Sequence, residues 1–97
     1  MLLALVRLRD HAYGMRIRQE IEKRTGRDVS IGAVYTTLER MEAKGYVSSW
    51  MGEPTAERGG RAKRFFRLEA AGMAALSNTE EVLRRMRLGI RVTRTAP

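Results

Sequence analysis

Apolar residues follow a helical rhythm through the first half of the chain and switch to alternation after residue 45. Leu2 to Arg9 is apolar apart from Arg7 and Arg9 near its end, which predicts a short buried helix. Asp10 is read as the N-cap of a second helix that reaches Thr25, with Gly14 early in it. Tyr13, Ile17 and Ile21 recur every four residues and give that helix an apolar stripe, and Gly26 stands where a helix-stopping glycine belongs. Ser30 predicts the N-cap of a third helix, which runs to Lys44 and stops at Gly45. Ile31, Val34, Tyr35, Leu38 and Met41 share one face of it. The opposite face carries Ala33, Thr36, Thr37, Arg40 and Lys44, a low-profile surface able to sit close to another molecule, with Glu39 and Glu42 on its flanks.

Past Gly45 the period shortens. Tyr46 to Met51 and Ala62 to Leu68 predict two strands paired as an antiparallel hairpin, and the segment between them is a loop by its Pro54, Gly59 and Gly60. Trp50 and the Phe65-Phe66 pair are expected to pair across the hairpin and pack on the helices. Residues 70–90 predict a last helix, and 91–97 a basic tail. Gly72, Leu76, Thr79, Leu83, Met86 and Ile90 follow alternating steps of four and three, a coiled-coil-like seam that points to dimerisation through Leu76, Thr79, Leu83, Met86 and Ile90. Ser77-Asn78-Thr79 is poor helix material and allows a break there.

Composition narrows the function. The chain has 97 residues, enough for one core and no deep cleft between lobes. Nineteen Lys and Arg against eleven Asp and Glu leave a net charge of +8, which draws the chain to polyanions. Lys occurs only at 23, 44 and 63, so arginine dominates, and its planar fork suits phosphate oxygens and the guanine edge. The absence of cysteine rules out disulfides, thiolate metal sites and cysteine nucleophiles. The sole histidine, His11, has no partner for a metal site or triad and is read as a solvated turn residue. No pair of groups resembles a nucleophile with its base, so no enzyme activity and no cofactor are expected. No apolar run is long enough to span a bilayer, and MLLALV is too short for a signal peptide, so the expected location is the cytoplasm.

Three helices followed by a β-hairpin is the order of the winged helix-turn-helix. In that module the third helix presents a polar face to the major groove, and the hairpin tip follows the phosphate backbone. From Arg58 to Arg67 the chain carries Arg58, Arg61, Lys63, Arg64 and Arg67 with no acid, and Gly59-Gly60 lets the backbone approach phosphate closely. The expected architecture is mainly α with a β-hairpin: a winged helix-turn-helix over 1–69 and a dimerisation helix over 70–90. The expected function is that of a sequence-specific regulator, a repressor, binding a pseudo-palindromic double-stranded DNA site as a homodimer. Two alternatives stay open: a winged-helix protein-interaction module, and a basic RNA-binding protein.

The segments Ala12 to Ile17, SIGAVYTTLERMEAKGYV (30–47) and GEPTAERGGRAKRFFRLEAAG (52–72) resemble the second helix, the third helix and the wing of PadR-type transcriptional regulators. Ser30, Gly32, Tyr35, Leu38 and Gly45 stand in the places that family uses, and the Glu-Arg-Gly-Gly-Arg tip is the most specific part. The resemblance runs from about residue 2 to 76. It implies DNA-contact roles for Ser30, Tyr35, Thr36, Thr37, Arg40, Arg61 and Lys63. Proteins of that kind can sense small aromatic compounds or drugs between their C-terminal helices, but the seam here has no tryptophan and no ionisable cluster to pick out a ligand, so any effector stays unknown.

Overall fold

The computed structural model describes residues 1–53 and 62–90. The order is α1 (Leu2–Leu8), a 3-10 turn (Arg9–His11), α2 (Gly14–Thr25), α3 (Ile31–Ala43), β1 (Val47–Met51), β2 (Arg64–Leu68) and α4 (Ala70–Arg87). The two strands pair antiparallel, Val47 opposite Leu68 and Met51 opposite Arg64. This is the winged helix-turn-helix expected from the residue pattern.

Each apolar stripe contributes at least one anchor to a single core. Ile17 from α2, Val34 and Leu38 from α3 and Phe66 from β2 are completely buried. Leu5 and Leu8 of α1 close it on one side, and Val47 continues it into the hairpin. Burying a side chain of that size is worth about 1.5–3 kcal/mol, so these few residues hold the three helices and the hairpin as one unit.

The start of α2 departs from expectation. Asp10 lies in the 3-10 turn, and the N-cap is Tyr13, with no side-chain cap bond. The reason is long-range. The Phe66 N–H donates to the Ala12 carbonyl at 2.8 Å, and Tyr13 bridges Phe65. Residues drawn into strand-like pairing cannot continue a helix, so α2 begins at Gly14. His11 is exposed in that turn, as a solvated turn residue should be.

Gly26 and Gly45 adopt the left-handed conformation, with φ of 71° and 78°, and end α2 and α3 as their positions predict. Helix α4 runs unbroken through Ser77-Asn78-Thr79 and stops at Arg87. Ile90 therefore falls past the helix end, after Gly89 at φ 80°, and leaves the periodic seam. Gly72 leaves it too, because it is buried against its own domain. A Cβ there would fall on the Tyr46 carbonyl oxygen and 2.7 Å from Leu68 Cδ1. Farther along α4, the Arg84 and then the Arg85 guanidinium bonded to Glu81 hold that carboxyl below the usual carboxylate range.

Candidate nucleic-acid interface

The turn before α3 sets its direction. Arg18 of α2 donates from Nε to the Val29 carbonyl at 2.7 Å, and its Nη2 lies 3.4 Å from Asp28. Ser30 Oγ then accepts the Ala33 N–H at 3.1 Å and caps the helix. An N-cap of this kind is worth about 1 kcal/mol. Ser30, expected at the DNA surface, thus also has a folding role. Arg18 is a positioning residue that the sequence does not reveal, since nothing separates it from Arg16 and Gln19 beside it.

Along α3, Gly32, Ala33, Thr36, Arg40 and Lys44 are exposed, while Thr37 is half-buried. The Thr36 hydroxyl donates to the Gly32 carbonyl and the Thr37 hydroxyl to the Ala33 carbonyl, each at 2.9 Å. Thr37 turns with Arg40 and Lys44 toward a concavity of about 500 Å³ whose other walls are Leu2, Leu3, Leu76 and Thr79. Tyr35 is half-buried on the inner side. Its ring centroid lies 6.2 Å from that of Phe66, and its phenol sits so close over Gly14 that a Cβ there would stand 2.5 Å from the hydroxyl. Tyr35 is therefore an anchor of α3 against α2 and the hairpin.

The hairpin separates its cations by strand alternation. Lys63, just before β2, holds its ammonium 4.2 Å from the centroid of the Tyr13 ring. Arg64, expected among the DNA-facing cations, is half-buried and paired within the protein. Its Nη2 meets Glu42 at 2.7 Å, its Nε reaches Ser49 Oγ at 3.2 Å, and its guanidinium lies 5.0 Å from the Phe66 ring. Ser49 in turn donates to Glu42 at 2.7 Å. The signal was present in the chain: residues two apart on a strand share a face, so a buried Phe66 draws Arg64 inward with it. Arg67 points the other way and lies 4.9 Å from the Trp50 ring, which itself stacks on Phe65. Arg58, Gly59, Gly60 and Arg61 lie outside the described residues.

The family model of the PadR-like transcriptional regulators matches residues 2–78. The chain belongs to the PadR family. PadR-like proteins are transcriptional regulators, not enzymes, and the winged helix-turn-helix is a DNA-binding module. Solved structures share the fold at low identity. A PadR family regulator from Clostridium difficile is 21% identical, with a TM-score of 0.71 over 89% of this chain and 85% of the other. One from Eggerthella lenta is also 21% identical, with a TM-score of 0.71 over 88% and 71%. Pex from Synechococcus is 24% identical, with a TM-score of 0.61 over 84% and 75%. No curated protein sequence matches the chain. Among the described residues, no helix of this PadR member is long and apolar enough to cross a membrane.

Because the Glu42–Arg64 pair ties the loop end of the hairpin of this PadR protein to α3, breaking it is expected to cost stability. Both side chains are one-third exposed, so solvent screening limits their coupling to about 1 kcal/mol. Chemical denaturation of Arg64→Ala, Glu42→Gln and the double variant measures it, and additive losses would mean that the pair contributes nothing as a pair.

Proposed function

We propose that the protein is a sequence-specific repressor that binds a pseudo-palindromic operator as a homodimer. The observation that carries this reading is the outward strip of α3. Gly32, Ala33, Thr36 and Arg40 face solvent on a helix whose entry is pinned by Arg18. Small side chains let the helix axis approach base edges, and Arg40 supplies the fork that reads guanine. Lys63, half-buried beside the hairpin loop with its ammonium over the Tyr13 ring, is assigned with Arg61 the role of phosphate clamp. Arg64 is left out of this interface.

The dimer reading is supported by α4. Leu83 and Met86 remain 45% and 73% exposed on a helix that reaches beyond the core, while Leu76 and Thr79 line the concavity shared with α3. Exposed apolar side chains in register on a protruding helix suit a second copy of the same helix. A dimer seated over a promoter represses by occupancy alone, in the cytoplasm where the nucleoid lies.

The test is a salt titration of wild type, Arg40→Ala and Lys63→Ala against a selected operator and a scrambled duplex. Arg40→Ala should cost about 1–3 kcal/mol on the operator and little on the scrambled duplex. Lys63→Ala should weaken both and flatten the salt slope of log K by about 0.9. Equal binding of all duplexes with no salt response would move the module to protein partners, and a preference for RNA of the same sequence would make it an RNA-binding protein.

A further inference from the structure

We infer that Thr36 is a one-way reader: it recognises an exocyclic amino group in the major groove and does not donate to a base acceptor. The inference rests on the reading that α3 enters the groove. A threonine hydroxyl has a single proton, and that of Thr36 is directed to the Gly32 carbonyl at 2.9 Å, inside its own helix. What the exposed side of the oxygen offers is lone pairs. Nothing covers them, since Thr36 is exposed and a Cβ at Gly32, one turn before, would have open space around it.

Free threonine hydroxyls accept from, or donate to, base edges with equal ease. With its donor engaged, Thr36 pairs with the amino group of adenine or cytosine, and N7, O6 and O4 acceptors gain nothing from it. Thr37 makes the same intrahelical bond but is half-buried against the concavity beside α1 and α4, whereas Thr36 is exposed and lines none of it, so the two adjacent threonines are not equivalent. Arg40, one turn on, is exposed at the rim of that concavity and offers only donors. The strip therefore presents an acceptor at Thr36 and donors at Arg40, an order that fixes the polarity of the bases it meets.

The experiment uses the full chain and a randomised duplex library. Selection with wild type and with Thr36→Val, which keeps the shape and loses the oxygen, identifies the base pair whose preference depends on Thr36. At that pair the amino group is then removed, using a purine without its 6-amino group or a pyrimidinone in place of cytosine. In a separate duplex the N7 acceptor of the same pair is removed by a 7-deaza purine. Loss of the amino group should weaken wild type and Thr36→Ser about fivefold, the effect of one neutral hydrogen bond, beyond any loss seen with Thr36→Val. Loss of N7 should affect wild type and Thr36→Val alike. Sensitivity to N7 in place of the amino group overturns the inference. So does a sequence-specific chain in which Thr36→Val relaxes no position, and that result leaves the operator reading intact. Failure to enrich any duplex sequence overturns both.

Discussion

Replacing Gly72 with valine is expected to lower stability by about 2–3 kcal/mol, the upper part of the usual range for forcing atoms into a packed contact. The contact in question is with backbone. The new Cβ would meet the Tyr46 carbonyl oxygen, which already accepts the Glu69 N–H at 2.9 Å, and would stand 2.7 Å from Leu68. A side chain can rotate away; a carbonyl held in a ladder cannot. The start of α4 would have to lift off the hairpin, so thermal unfolding should shift down by roughly 10 °C or more for a domain of this size. Gly32→Ala is the control, because its Cβ would have open space and alanine favours helix by up to about 1 kcal/mol over glycine. An unchanged melting temperature for Gly72→Val would mean that α4 does not dock through this contact.

Leu83→Glu is expected to abolish the proposed dimer while leaving the monomer folded. Leu83 makes up part of the exposed apolar stripe of α4, well beyond the buried Gly72. In a monomer the carboxylate would sit in water at no cost. In a helix–helix seam it would be a buried charge without a partner, a penalty of about 3–5 kcal/mol, so association should weaken at least about a hundredfold. Sedimentation at micromolar concentration should give twice 11.0 kDa for wild type and a single chain for the variant. A wild type that sediments as a single chain, as stable as its variant, would refute the dimer, and α4 would then be a free arm.

Local grammar in the chain was enough to place most elements. Ser30 caps α3, Gly26 and Gly45 end α2 and α3 by left-handed turns, and Phe66 lands in the core. The discrepancies at Asp10, Gly72, Arg64 and Tyr35 share a physical origin, because each depends on what another segment does to the residue. Asp10 has the chemistry of an N-cap, but pairing of Ala12 and Tyr13 with β2 moves the helix start past it. Gly72 fits a seam by spacing, yet the absence of a side chain is what lets α4 rest on the Tyr46 carbonyl. Among the proposed interface residues, Thr36 and Arg40 face outward as their spacing on α3 requires, whereas Arg64 and Tyr35 are held inward by Glu42 and Phe66. A run of basic residues carries no mark of which of them has an acid waiting behind it.

The stacked pair near the loop end of the hairpin also makes the protein its own optical probe. The chain has one tryptophan, and Trp50 lies on Phe65 at 5.6 Å with the Arg67 guanidinium over its ring. Its emission, excited beyond the tyrosine band, reports on the hairpin alone, whereas far-ultraviolet ellipticity is dominated by the four helices. Followed together through a melt, the two signals separate loss of the wing from loss of the helical core, and coincident curves would establish that both unfold as one cooperative unit. The same indole, on the hairpin proposed to meet DNA, offers a label-free signal for titration with duplex.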